Sequence, residues 1–368
     1  MKPDLKTRDS ALDLLRIAAA FFVISVHSVG KAGFYDLPMV GMQMYLMTVI
    51  RQFFMCCVAL FMLLTGYLMS RKKLSARYYR GIIHTLLIYV LASTVTMLYR
   101  IHIGEDFSPK MFVLGLLDFS GAPYAWYVEM YVGLFLLIPF LNLIYWNLEN
   151  KKQKQWLIAT LMIVCCTSSL LNNFNFTQER WWAKLLTTDG WTKISPDFWR
   201  TAYPLVYYFT GCYLREYQPK FRASRLLAAL AVHLGLYAAL MFFKSGGEVF
   251  PWQWFSDNSS PLNWLTAVLV FLLIKNIDTS RWTPGVKRAL QYLAGLSLGT
   301  YLVSWVPDQI LPELLLDSIP DPHQKLWGFL ILAPAVFLSA SLLSAAVDLA
   351  AKLLTRTGEK LCALRRKN

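Results

Sequence analysis

The sequence has few charged residues for its length. Of its 368 residues, 16% are Asp, Glu, Lys or Arg, whereas 56% are hydrophobic and 15% are aromatic. Soluble domains carry about 25% charged residues, so this deficit argues against a soluble globular protein. The composition also excludes disordered, collagen-like and coiled-coil chains, each of which needs a different residue usage.

The sequence also lacks the short motifs of many enzyme classes. It contains no Walker A loop, HExxH metal site, GxSxG elbow or dinucleotide-binding fingerprint. Its six cysteines form no CxxC pair, and five of them lie within apolar runs, which predicts apolar packing rather than disulfides. No set of residues has the spacing of metal ligands. We therefore expect a protein with no bound metal or cofactor.

The sequence does have ten apolar segments, most of them near the roughly 20 residues that a helix needs to cross a bilayer. They predict an all-α, polytopic membrane protein with about ten transmembrane helices, forming one domain over residues 1–368. Because the first segment lacks a small-residue cleavage site, we expect it to be retained rather than cleaved as a signal peptide. The segments cover residues 11–30, 41–69, 79–100, 124–146, 155–172, 201–215, 224–243, 261–277, 287–306 and 326–354.

The basic residues lie mostly on one side of these segments. The chain has 36 Lys and Arg against 22 Asp and Glu, a net charge of +14. With the N-terminus placed in the cytoplasm, 25 of the 36 fall on the inner side, 9 on the outer side and two, Arg16 and Arg51, within spans. This asymmetry predicts cytoplasmic N- and C-termini, with a basic tail from about residue 355. It also explains the positive charge without a nucleic-acid partner.

The first predicted helix carries Asp13, Arg16 and His27. At 100° per residue, Arg16 and His27 lie within about 20° of each other around the helix, and Asp13 lies within about 60° of both. His27 is about 16 Å further along the axis than Arg16. A local Asp13–Arg16 ion pair is expected, and it is also typical of a helix-end anchor. His27 is either a general base or a hydrogen-bonded packing residue.

Charged residues deeper in the predicted spans need partners. Arg51 lies near the middle of the second span, where an arginine requires a carboxylate, a cluster of carbonyl groups or an anionic ligand. Glu129 lies at a depth similar to that of His27 and is the predicted carboxylate partner of the imidazole, with Asp308 and Asp118 as rivals. The other four histidines are expected to be structural.

Two loop features have two interpretations each. Arg77 and Arg80 form an RxxR at the start of the third span, which suits either positive-inside anchoring or binding of phosphates. The long outer loop over residues 173–200 is rich in tryptophan, Trp181 and Trp182 included. It is either an interfacial aromatic belt or a lid that stacks on a sugar over an outer site.

Together these residues resemble the membrane acyltransferase 3 family. The most specific part is Arg8, Asp13, Arg16 and His27, with ten residues between the last two. Weaker motifs extend the resemblance over nearly the whole chain; they are Arg51, Phe61, Thr65, Gly66, Tyr67, Leu68, Arg77, Arg80, Trp126, Tyr127, Gly133, Pro139, Phe140, Leu141, Phe209, Gly211, Tyr213, Leu214, Ser297, Gly299, Tyr301 and Leu302. Ser304 and Ala125 stand where many relatives have histidine.

The resemblance implies an enzyme that transfers an acyl group, usually acetyl, from cytoplasmic acyl-CoA to a hydroxyl of an extracytoplasmic glycan or lipid-linked sugar, such as O-antigen or exopolysaccharide. Acetyl-CoA is then a co-substrate, and the protein lies in the bacterial inner membrane. His27 and Glu129 are the implied catalytic residues. Asp13 is expected to orient Arg16. The residues expected to bind acyl-CoA are Arg16, Arg51, Arg77 and Arg80, and those expected to bind the acceptor are Trp126, Trp181 and Trp182.

A transporter or flippase of a lipid-linked or anionic solute is the alternative, because many spans with intramembrane charge fit that function as well. The sequence shows no inverted repeat and no pair of Gly/Pro-broken helices, which favours the enzyme.

Overall fold

The computed structural model is built of helices. It describes residues 8–177, 191–252 and 254–365, and within these ranges it contains no strand. The α-helices of this part of the chain are α1 (Ser10–Lys31), α2 (Gly41–Phe54), α3 (Cys57–Met69), α4 (Ala76–Arg80), α5 (Ile83–His102), α6 (Pro109–Leu117), α7 (Trp126–Asn147), α8 (Lys151–Leu171), α9 (Pro204–Tyr217), α10 (Ala223–Ser245), α11 (Pro261–Lys275), α12 (Pro284–Val303), α13 (Trp305–Leu316), α14 (Pro322–Lys325) and α15 (Phe329–Arg365).

All ten predicted segments are helical. Seven stretches of the described chain are long and apolar enough to cross a bilayer, namely Ser10–Lys31, Gly41–Met69, Ala76–His102, Trp126–Asn147, Lys151–Leu171, Ala223–Ser245 and Pro322–Arg356. The other three predicted segments, 201–215, 261–277 and 287–306, correspond to α9, α11 and α12. The first two are short, with 14 and 15 residues. The chain is therefore a multi-pass helical membrane protein. The residues from 355 to 365, predicted as a tail, continue α15 as helix.

Local sequence signals explain where many helices begin. Four helices start with proline directly after a polar residue whose side chain caps the first turn. The cap accepts a backbone N–H that the helix leaves unpaired, and proline has no N–H to lose. These cap–proline pairs are Ser108–Pro109, Ser260–Pro261, Thr283–Pro284 and Asp321–Pro322.

The second predicted span differs from expectation, because it is divided into α2 and α3. The α-helix stops at Phe54 and resumes at Cys57. At the division, Cys57 Sγ lies 3.8 Å from the carbonyl oxygen of Met55. The apolar run in the sequence gives no sign of this break.

Helix α1 lies at the centre of the bundle and packs against α3, α11, α12 and α15. Helix α3 in turn packs against α9 at a crossing of two glycines. A Cβ atom on Gly66 would collide with the carbonyl oxygen of Tyr208, and one on Gly211 with that of Leu63. The absence of side chains at these two positions brings the two backbones together.

Candidate active site

The start of α1 holds a buried carboxylate between two arginines. Asp13 is 1% exposed. Arg8 donates to both of its oxygens, at 2.8 and 2.7 Å, and Arg16 Nη1 donates to Oδ1 at 3.1 Å. The predicted Asp13–Arg16 pair is present, and Arg8 forms a second, bidentate pair. A carboxylate held in this way fixes the position of the Arg16 guanidinium.

A cavity of about 410 Å³ lies next to Arg16, and we call it the Arg16 cavity. Its polar lining includes Arg16, Lys72 and Tyr131, whereas Phe61 and Leu68 contribute apolar surface. Two cations in one concave site favour an anionic ligand. Sequence reasoning missed Lys72, because it lies in a loop among several other basic residues.

The predicted phosphate-binding residues Arg77 and Arg80 do not line this cavity. Both are exposed on the short helix α4. The residue between them that anchors α4 is Tyr78, which stacks on Phe135 with ring centroids 4.4 Å apart. The RxxR is therefore an exposed pair of cations in the segment that follows Lys72.

A second cavity, of about 360 Å³, lies near the end of α1, and we call it the His27 cavity. His27, Lys31 and Arg51 line it, together with Trp126 and Trp252. The structure thus brings three of the predicted site residues, His27, Arg51 and Trp126, to one place. Arg51 lies with His27 and not with Arg16, so it is separated from the other predicted ligands of acyl-CoA.

Tyr301 lines both cavities. It is 4% exposed, and its hydroxyl donates to the carbonyl oxygen of Tyr124. Its ring packs edge-on against Tyr127, with centroids 5.9 Å apart. A single aromatic side chain therefore forms part of the wall between the Arg16 cavity and the His27 cavity.

His27 has an aromatic neighbour rather than a carboxylate. Its imidazole stacks on Tyr124, with ring centroids 4.4 Å apart and planes inclined by 23°. The Tyr124 hydroxyl donates a 2.8 Å hydrogen bond to Asp308 Oδ2. In the described part of the chain the His27 ring has this stacking contact and no hydrogen bond, so its nitrogens are available to a molecule in the cavity.

The carboxylate connected to His27 is therefore that of Asp308, one of the two rivals of Glu129. Asp308 is 2% exposed, and its Oδ1 has no hydrogen-bond partner among the described residues. Glu129, by contrast, is exposed on α7, although its neighbour Val128 is buried. Because Glu129 directly follows Val128 in the helix, its side chain points about 100° away from the face of α7 that meets the bundle. Asp118 is exposed beyond the end of α6.

Arg51 is 3% exposed and makes no ion pair among the described residues. Its Nη1 donates to Gln52 Oε1 at 2.8 Å, and its Nε donates to the hydroxyl of Tyr35 at 3.3 Å. The guanidinium lies over the ring of Phe250, 4.7 Å from its centroid. The predicted carboxylate partner is therefore not found among the described residues. The guanidinium is held by a side-chain carbonyl oxygen, a hydroxyl and an aromatic ring, and its position in a cavity wall leaves it accessible to an anionic ligand.

Other predicted residues lie elsewhere. Trp181 and Trp182 are outside the described residues. His233, predicted to be structural, has its Nε2 3.0 Å from both the carbonyl oxygen of Leu262 and the hydroxyl of Thr266. Among the described residues, no group of three or more His, Cys, Asp or Glu side chains could hold a metal ion.

Comparison with known protein families gives one finding. The model of the acyltransferase 3 family, described as an acyltransferase domain, matches residues 9–348, nearly the whole chain. The match includes Asp13, Arg16, His27, Tyr124, Tyr301 and Asp308. No curated protein and no solved structure matches the sequence.

Proposed function

Because the chain belongs to the membrane acyltransferase 3 family, we propose that it transfers an acyl group, in the first instance acetyl, from cytoplasmic acyl-CoA to a hydroxyl group of an extracytoplasmic glycan or lipid-linked sugar. The observation that carries this proposal is the pair of cavities that share Tyr301, one lined by Arg16 and the other by His27. Each cavity receives one substrate. We place the protein in the bacterial cytoplasmic membrane.

The Arg16 cavity is the proposed site of the donor. Arg16 and Lys72 supply positive charge for the phosphates of CoA, and the apolar surface beside them accommodates the thin pantetheine arm. Arg77 and Arg80, exposed on α4, supply further positive charge that attracts the same anion from solution. Arg16 and His27 are about 16 Å apart along α1, so the arm carries the thioester toward Tyr301.

The His27 cavity is the proposed site of the acceptor and of the reaction. His27 accepts the proton of the acceptor hydroxyl as its oxygen attacks the thioester carbonyl carbon. The carbonyl oxygen becomes an oxyanion that Arg51 stabilises, since a buried guanidinium in the cavity wall is a strong preorganised donor. The C–S bond then breaks, and the imidazolium returns its proton to the CoA thiolate. Trp126 and Trp252 offer stacking surfaces for a sugar.

Tyr124 and Asp308 act through His27 and are positioning residues. The stack on Tyr124 sets the plane of the imidazole, and the hydrogen bond to Asp308 holds Tyr124 in place. In a covalent variant of the mechanism, His27 itself takes the acyl group before the acceptor does.

The test uses the full chain in lipid nanodiscs, acetyl-labelled acetyl-CoA and a cell-envelope glycan fraction. We expect the wild type to release CoA and to label the glycan, and His27→Gln to do neither. His233→Gln is the matched control, because it removes a histidine outside both cavities. Label that remains on the wild-type protein without glycan would identify the covalent variant.

Two outcomes would contradict the proposal. The first is a His27→Gln protein that labels glycan as fast as the wild type. The second is transport of label across a vesicle membrane without release of CoA, which would support a transporter.

A further inference from the structure

A third cavity lies away from both active-site cavities and is larger than either, at about 770 Å³. Residues of α8, α9, α10 and α11 line it, together with residues between α9 and α10, so we call it the α8–α11 groove. On α8 it is lined by Lys151, Gln155, Ile158, Ala159 and Met162, which share one helix face at i, i+4, i+7, i+8 and i+11. None of these residues has a place in the proposed reaction.

The two ends of the groove differ in chemistry. The only charged residues among those lining it are Lys151 and Arg225, and both are cations. Lys151 is the first residue of α8, and Arg225 lies in the first turn of α10. Away from these helix starts the lining is largely apolar, with residues such as Met162 and Val268. The groove therefore has a cationic mouth and an apolar interior.

Hydrogen bonds and an ion pair show that the mouth lies at one end of the bundle. Gln155 Nε2 donates to the Tyr213 hydroxyl at 2.9 Å, joining the start of α8 to the end of α9. Asn276, just after α11, donates to the carbonyl oxygen of Phe221, just before α10. Lys275 is 3.0 Å from Asp9, which caps α1. The mouth thus lies on the same side as the start of α1.

A smaller cavity of about 100 Å³ adjoins this end of the groove and shares Leu214, Pro219 and Leu272 with it. Lys220 and Lys275 line the smaller cavity. One of these two lysines, Lys275, is paired with Asp9. The positive charge at the mouth therefore extends beyond Lys151 and Arg225.

The depth of the groove matches one leaflet of a membrane. Lys151 and Met162 are separated by about 16 Å along α8, and half of the hydrocarbon core of a bilayer is about 15 Å thick. We propose that the α8–α11 groove is a binding site for an anionic glycerophospholipid, with the phosphate group between Lys151 and Arg225 and an acyl chain along Ala159 and Met162. This inference is independent of the acyl-transfer reaction.

The experiment measures lipid retention by native mass spectrometry of the full chain, purified in detergent and stripped of lipid. It is supplied with phosphatidylglycerol or phosphatidylcholine of the same acyl chains. We expect the wild type to retain phosphatidylglycerol preferentially, and Lys151→Gln/Arg225→Gln to lose about five-fold in this preference for each cation removed. Lys152→Gln/Arg222→Gln is the matched control, since both residues are exposed at the same helix starts and neither lines the groove.

Two more variants separate the effect of the two cations from the effect of the free volume inside the groove. Lys151→Arg/Arg225→Lys keeps both cations and is expected to keep the preference. Ala159→Phe keeps the cations but fills the groove, and it is expected to lower retention of phosphatidylglycerol. The proposal is overturned if the wild type retains both lipids equally, or if the control pair loses the preference as fully as the groove pair.

Discussion

The imidazole of His27 lies face to face with the phenol ring of Tyr124, at a centroid distance of 4.4 Å. The two residues come from different parts of the chain, α1 and the turn before α7, and their contact fixes the orientation of a histidine that has no hydrogen bond within the described chain. The hydroxyl of Tyr124 is held by Asp308 at 2.8 Å. The imidazole thus contacts an aromatic ring, and the carboxylate contacts the hydroxyl of that ring rather than the imidazole itself.

Removal of the Tyr124 hydroxyl tests this arrangement. Tyr124→Phe keeps the stack but loses the hydrogen bond to Asp308, and a buried polar group left without its partner costs roughly 1–3 kcal/mol. We expect the kcat of Tyr124→Phe to fall about ten-fold with an unchanged KM for acetyl-CoA. The kcat of Tyr124→Leu, which also loses the aromatic stack, is expected to fall further. Tyr99→Phe is the control, since Tyr99 packs on Trp305 outside both cavities. Full activity of Tyr124→Leu would show that the stack has no role.

Substitution of Arg51 tests its proposed role in stabilising the oxyanion. Arg51→Lys keeps a positive charge but loses the planar fork that lies over Phe250 and donates to Gln52. Loss of one oxyanion donor lowers kcat by about 100-fold or more, so we expect a fall of that order. Thermal unfolding of the same sample distinguishes a catalytic effect from misfolding. Arg100→Lys, which alters a pair with Glu105 elsewhere, is expected to keep wild-type kcat.

Lys72 and Lys73 form a natural pair for testing the donor site. Both are exposed, but only Lys72 lines the Arg16 cavity. We expect Lys72→Gln to raise the KM for acetyl-CoA several-fold, with a weaker effect at high ionic strength because salt screens an exposed charge. Lys73→Gln is expected to have the KM of the wild type. An equal rise in both variants would mean that the loop acts only through its overall charge.

The glycine crossing of α3 and α9 predicts a change in stability. A methyl group at Gly211 would meet the backbone of Leu63, and backbone atoms cannot move aside as a flexible side chain can. Overpacking of this kind destabilises by about 1–3 kcal/mol, so Gly211→Ala is expected to lower Tm in detergent. Gly133→Ala is the control, because a methyl group there meets no atom within 4 Å. Equal Tm values would show that the helices can separate without loss.

The helical architecture could be predicted from the sequence because hydrophobic burial in a bilayer leaves long apolar runs. The polar face of α1 was predictable for a related reason, since helical geometry relates residues of one segment by a fixed angle. The Asp13–Arg16 pair followed from this geometry and is confirmed. The sequence identifies both Arg51 and His27 as candidate site residues, but it does not show that they line the same cavity.

What the sequence did not reveal depends on contacts between distant segments. Asp308 lies more than 280 positions from His27, and nothing in local periodicity links them. In the sequence, depth alone favours Glu129, and depth does not determine which face of α7 the side chain occupies. Lys72 and Trp252 line cavities because helices that are distant in sequence pack together, and the local sequence does not show this packing.

Tyr301 has a consequence for the membrane as well as for the reaction. A protein that receives one substrate from each side of a bilayer risks joining the two water phases, and such a channel would dissipate the proton gradient of the cell. Here the two cavities meet at a buried aromatic ring rather than at an open passage. Under the proposed function, the ring of Tyr301 is therefore also the insulator between the two water phases while no acyl-CoA arm extends past it to His27.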